Sequence, residues 1–211
     1  MIWAATYPWI GKILFAVYAT SLPQLLLIVI TLGFTGKNRM LHHFLVTGVL
    51  GALASILFWG AFPTYGAKAY HDLPLWVSEA IPMAVNPAYG RELMRLGQEG
   101  VSYLTPRDVL GLIGFPSFHI FMAAMSVWLV PRHWLFMAVI WTLNALMLPA
   151  VLVQGGHHLV DIFGGLAAFA VVCPLSAWLL NRITAGSQED AAVPERQVVA
   201  VGVSGQALSE F

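Results

Sequence analysis

Residues 133–181 read HWLFMAVIWTLNALMLPAVLVQGGHHLVDIFGGLAAFAVVCPLSAWLLN, 49 residues in which Asp161 is the only charged side chain. The acid divides the stretch into uncharged runs of 28 and 20 residues. A bilayer crossing by an α-helix needs about 20 mostly apolar residues, so each run is long enough for one. Three more gaps between charged residues have the same property: 13–36 (24 residues), 40–67 (28) and 109–131 (23). Buried helices of water-soluble proteins rarely go beyond about 10 to 14 uncharged residues. The expected fold is therefore all-α, a polytopic membrane helix bundle of about five transmembrane helices centred on 12–32, 42–63, 110–130, 134–152 and 158–180.

Composition agrees. Of 211 residues 59% are hydrophobic and only 9% charged, where a soluble domain carries about 25%. Ten basic and ten acidic residues give a formal net charge of zero, which leaves no basic field for nucleic acid. One cysteine, Cys173, excludes a disulfide framework and a cysteine-based metal site. The first nine residues lack the basic region of a secretory signal, so the first apolar stretch is expected to stay in the mature chain.

Two segments read as lying outside the membrane. Residues 68–108 carry four basic and five acidic residues with Pro74, Pro82, Pro87 and Pro106, a loop long enough to act as a lid. Residues 184–211 lack a sustained apolar face and read as a disordered tail behind a membrane domain of residues 1–183. Five crossings put the long loop and the 153–156 turn on one face. Lys37, Arg39, Arg132 and Arg182 lie near helix ends on the other, with no nearby acid. The positive-inside rule makes that second face cytoplasmic and the loop extracytoplasmic.

Polar residues at apolar positions carry the functional information. Gly114-Phe115-Pro116-Ser117-Phe118-His119 and Gly155-Gly156-His157-His158-Leu159-Val160-Asp161 fall at the same outer depth. His157 and Asp161 stand four residues apart, so on a helix they share a face and the carboxylate accepts the Nδ1 proton, leaving Nε2 as a lone pair for attack or proton transfer. Gly155 and Gly156 allow close backbone approach, and a helix starting there directs N–H groups at an anion. Pro116 suits the first turn of a helix and brings the Ser117 hydroxyl to that terminus. His158 points about 100° away from His157 on a helix. Gly164, Gly165, Ala167 and Ala168 read as a small-residue packing face, and Asn144 and Pro149 as packing and kink features. His42 and His43 read as interfacial.

These residues resemble the type 2 phosphatidic acid phosphatase superfamily. Its Pro-Ser-Gly-His motif is similar to Pro116-Ser117-Phe118-His119, and its His-x-x-x-Asp ending is matched by His157 to Asp161. Phe118 and the doubled His157-His158 look more like the branch of inositol phosphorylceramide synthases. The resemblance implies that His157 attacks phosphorus to form a phosphohistidine, Asp161 orients it, His119 protonates the leaving oxygen and Ser117 binds the phosphate. Two departures stand out. The arginine expected six residues before His157 is Val151, with only Gln154 nearby, and the Lys-x6-Arg-Pro motif is absent. Arg95 and Arg107 of the outer loop are the preferred substitutes, with Gly156 as a further phosphate-binding residue. The family usually has six spans, one more than is visible here.

The leading expectation is an integral-membrane, metal-independent phosphoryl-transfer enzyme without a cofactor. It acts on a lipid or isoprenoid phosphate ester from the extracytoplasmic side of a bacterial plasma membrane. Hydrolase and lipid phosphotransferase stay open. Vanadate is expected to inhibit rather than to serve. The contrasting expectations are a haem-binding membrane electron carrier with histidine axial ligands and a non-catalytic membrane scaffold.

Overall fold

The computed structural model describes residues 1–70, 73–85, 94–95, 98–100, 114–131 and 133–192. The principal helices are α1 (Ile2–Thr6), α2 (Pro8–Ala19), α3 (Ser21–Phe34), α4 (Asn38–Ala61), α5 (Ala67–Tyr70), α6 (Leu75–Ala80), α7 (Phe118–Trp128), α8 (Trp134–Ala150) and α9 (Leu159–Ala192), with a π-helical turn at Val151–Gly155. Among the described residues the fold is all helical, and the chain is an integral membrane protein.

The apolar stretches become helices, but not five equal ones. Asn38–Ala61, Trp134–Gly155 and Leu159–Ala185 are each long and apolar enough to cross a bilayer. The stretch expected at 12–32 is a pair, Pro8–Ala19 and Ser21–Phe34, bent by 42°, and the described residues hold three such helices, or four when the bent pair is counted as one span. The crossing expected at 110–130 is corrected to the 11-residue α7, which rises about 16 Å, roughly half the hydrocarbon thickness. The chain from Gly114 to Ser117 is not helical, and the cap residue Ser117 is extended at φ −67°, ψ 108°. A charge-free run measures hydropathy, whereas Gly114 and Pro116 decide where the helix starts. α9 continues to Ala192, past the boundary drawn at residue 183; residues 193–211 lie outside the described residues.

The bundle buries polar side chains among apolar ones and turns large apolar side chains outward. On α3 the buried residues are Ser21, Gln24, Ile28 and Leu32, and on α4 Phe44, Thr47, Gly51 and Ser55, stripes at helical spacing that face the centre. Leu22, Leu26, Leu27 and Ile30 of α3 and Val49, Leu53, Ile56 and Leu57 of α4 are exposed, the arrangement a lipid solvent favours. α7 is the hub: it contacts α3, α4, α8 and α9 and buries Ile120, Phe121, Met122, Ala123, Met125 and Ser126.

Polar pairs tie the helices. Gln24 Nε2 donates to Asn144 Oδ1 (3.2 Å), and Asn144 Nδ2 donates to Gln24 Oε1 (3.1 Å) and to its own helix at Ile140 (2.7 Å). Thr47 and Ser176 pair through their hydroxyls at 2.6 Å. Asn144 is thus a packing residue, as its sequence context indicates.

The segment after α4 folds back on the bundle. α6 packs on α1, and Ile81 joins a core of Ala4, Leu14, Met147, Ala150 and Val151. Gln154, fully buried, holds this arrangement. Its Nε2 donates to Gly11 O (3.1 Å), its Oε1 accepts from Ala84 N (3.1 Å) and its carbonyl from Val85 N (3.2 Å).

Candidate active site

The start of α9, the π-helical turn before it, the start of α7 and the end of α2 meet at one end of the bundle. Gly156 makes the turn possible. It adopts the left-handed conformation (φ 68°, ψ 24°), which costs glycine little, and it reverses the chain between the π-helical turn and α9. The Gly156 and His157 amides both donate to Val151 O, and the Gly156 carbonyl accepts from Ala67 N at 2.6 Å. The expected free N–H groups at Gly156 are therefore engaged within the turn.

His157 precedes α9 instead of sharing a helical face with Asp161. The pair forms nonetheless: Nδ1 lies 3.3 Å from Asp161 Oδ2 and 2.9 Å from Gly114 O. Both partners are acceptors, so Nδ1 carries the hydrogen. Nε2 is then a lone pair, and the Ser117 hydroxyl 3.3 Å away donates to it. Asp161 Oδ2 also accepts from His158 N at 2.7 Å, which caps the first turn of α9, where an anion is favoured. All three side chains are buried, with Ser117 fully so.

Two backbone features hold this chain of contacts. Ser117 N donates to Asp161 O at 3.1 Å, joining α7 to α9 directly. That approach depends on Gly164 and Gly165: a Cβ at Gly165 would lie 2.5 Å from Ser117 O, and one at Gly164 2.3 Å from the Phe115 ring. Both glycines act as the packing face expected of them. On the other side Thr64 Oγ1 accepts from Phe115 N at 2.7 Å, and this holds the bend at Phe115 and Pro116, which are joined by a cis bond.

His119, in the first turn of α7, is part-buried. Its ring stacks on Tyr18 (centroids 4.2 Å apart, planes 23°) and its Nδ1 lies 3.4 Å from the Tyr18 hydroxyl. Tyr18 also reaches the π-helical turn, its hydroxyl 3.3 Å from where a Gly155 Cβ would stand, with His157 Cδ2 2.8 Å from the same point. Sequence reasoning missed Tyr18. An aromatic residue in an apolar span carries no signal beyond its polar tip.

The sequence-derived residues separate into groups. Ser117, His119, His157 and Asp161 come together with Gly156 in the connecting turn. His158 turns toward Tyr70, with ring centroids 6.4 Å apart. Arg95 is exposed, its Nη1 3.3 Å from Glu99 Oε2. Arg107 lies outside the described residues. Val151, where the motif expects arginine, is fully buried in the apolar core. Among the described residues no three His, Cys, Asp or Glu side chains converge as a metal-ligand set.

A family model of the PAP2 superfamily matches residues 1–175 of the 211. The chain belongs to the PAP2 superfamily. No curated protein and no solved structure matches it. Membership in the PAP2 superfamily carries a coarse functional statement, phosphatase-type chemistry on phosphate esters. Within the matched span lie both motif pieces, 114–119 and 155–161.

Proposed function

We propose that this protein is a membrane phosphoryl-transfer enzyme acting on a lipid or isoprenoid phosphate ester through a phosphohistidine at His157. The observation that carries the reading is the polarised imidazole. With Nδ1–H held between Gly114 O and Asp161 Oδ2, Nε2 presents its lone pair beside Ser117 Oγ, as a nucleophile requires.

In the first step Nε2 forms a bond to phosphorus and the P–O bond to the lipid alcohol breaks. Positive charge develops on His157, which Asp161 stabilises at 3.3 Å. Protonated His119 gives its proton to the departing alkoxide. Tyr18 at Nδ1 leaves His119 Nε2 as the transferring atom, without a protein partner among the described residues. Ser117 exchanges its contact with His157 for a phosphate oxygen. In the second step water or an alcohol loses a proton to His119 and attacks phosphorus. The N–P bond breaks and neutral His157 returns. Arg95 and Arg107 are the proposed cations for the phosphate charge, metal ions having no part in the cycle. The likeness of Phe118 and His157-His158 to the synthase branch favours testing alcohols as acceptors beside water. Both nitrogens of His157 have protein partners, an arrangement that haem ligation does not call for.

Mixing purified protein with a lipid phosphate labelled on phosphorus, in EDTA, and quenching in alkali tests the scheme. Label is expected on the peptide containing His157 and on no peptide of His157→Ala, whose turnover falls by about 10⁴-fold or more. Unchanged turnover in His157→Ala overturns the mechanism.

A further inference from the structure

The other end of the bundle carries a second cluster of polar groups. The 24-residue α4, about 36 Å long at 1.5 Å per residue, separates it from the candidate active site. There the start of α4, the end of α7 and the stretch of α9 from Ala177 to Asn181 border an open cavity of about 550 Å³. Lys37, Arg39 and Asn181 line its polar side, and Met40, Leu129 and Leu180 its apolar side. A neighbouring cavity of about 440 Å³ shares Arg39, Leu180 and Asn181 and adds His42.

Three observations define what the cavity accepts. First, its charge is of one sign. Its lining includes two cations and no carboxylate, and among the described residues neither Lys37 nor Arg39 is paired with an acid. Arg39 Nη2 donates to Asn181 Oδ1 at 2.9 Å, which holds the guanidinium at the cavity wall with its other donors available. Second, the start of α4 has no side-chain cap, so its first amides add donors of the same polarity. Third, the depth is that of a membrane interface. Trp178 and Phe34 are exposed here, and the Arg182 guanidinium lies 5.5 Å above the Trp178 ring, the pairing of amphipathic ring and cation found at headgroup level.

We infer that this cavity holds the headgroup of an anionic phospholipid of the surrounding bilayer. The phosphate sits between Lys37 and Arg39, and an acyl chain runs along Leu129 and Leu180. Free phosphate would use the same cations but has no use for the apolar wall, which is why the lipid is the favoured source. Basic pockets between transmembrane helices recognise headgroups in this way. The inference uses none of the residues assigned to phosphoryl transfer and stands or falls separately from that reading.

Native mass spectrometry of the whole protein in neutral detergent tests it, with phosphatidylglycerol, phosphatidylcholine and inorganic phosphate added separately and in competition. One phosphatidylglycerol is expected to survive activation that strips phosphatidylcholine, and excess inorganic phosphate is expected not to displace it. Lys37→Gln/Arg39→Gln lowers that occupancy by about tenfold or more, the scale for removing two cations near an anionic lipid, whereas Lys37→Arg/Arg39→Lys retains it. Should the double neutral variant not fold, Lys37→Gln alone, in the exposed turn before α4, is expected to lose occupancy by about threefold or more. Equal retention of both lipids, no loss in the neutral variants, or phosphate occupying the cavity in place of the lipid overturns the inference.

Discussion

Two buried polar groups occupy the same apolar bundle and do opposite things with their hydrogen bonds. In the Gln24–Asn144 pair each amide donates to the other, and the spare N–H of Asn144 returns to its own helix; the group is closed. In the chain of Asp161, His157 and Ser117 the contacts run in one direction, from a carboxylate through an imidazole to a hydroxyl, and end at an atom able to take a new partner. In a lipid solvent a closed pair joins helices, while a directional chain stores reactivity. The difference lies in residue chemistry. Amides are donor and acceptor at once and close on themselves, whereas an imidazole accepts at one nitrogen because it donates at the other.

That contrast can be broken experimentally at three levels. The largest effect is expected from Asp161→Asn, which keeps the side-chain shape but removes the charge that stabilises a developing imidazolium. Turnover of a lipid phosphate should fall by about 10² to 10⁴-fold, with only a modest change in thermal unfolding; activity within twofold of wild type would show that the chain is no more directional than the amide pair. A smaller effect is expected from Tyr18→Phe, which keeps the stack on His119 and removes the hydroxyl at Nδ1. The loss of one long hydrogen bond, about 1 kcal/mol, corresponds to roughly fivefold in kcat with KM unchanged and a displaced pH profile. A profile that does not move would make Tyr18 a packing residue. The smallest effect belongs to the closed pair. A double-mutant cycle of Gln24→Leu and Asn144→Leu should give a coupling energy of about 0.6 kcal/mol in unfolding, the average for buried polar pairs between membrane helices, with turnover nearly untouched.

How much of this was legible in the sequence differs between its two clusters. The membrane class followed from charge spacing, because hydropathy is a property of composition that survives folding unchanged. The third crossing was misjudged because a gap of 23 uncharged residues at 109–131 says nothing about where a backbone leaves the helix. Gly114 and Pro116 contained that information, and Pro116 stands before α7, not within its first turn. The spacing of His157 and Asp161 located the pair correctly, though on other grounds: they meet across a helix start, through a left-handed Gly156, instead of along a helical face. Tyr18 was invisible, since its partner His119 is 101 residues away and no local pattern encodes such a contact. In the sequence Gln154 is only the polar residue nearest the missing arginine. Its contacts to Gly11, Ala84 and Val85 make it the anchor of the segment after α4, a role that only the tertiary arrangement reveals.

Gly164 and Gly165 have no functional group, yet a genetic screen would treat them differently from each other. At Gly164 the obstacle to a methyl group is the Phe115 side chain, and at Gly165 the nearest is the Ser117 carbonyl. An inactive Gly164→Ala allele is therefore open to intragenic suppression by a smaller residue at position 115, whereas at Gly165 no change of side chain moves that carbonyl aside. Of two adjacent glycines, one is a repairable lesion and the other a dead end for selection.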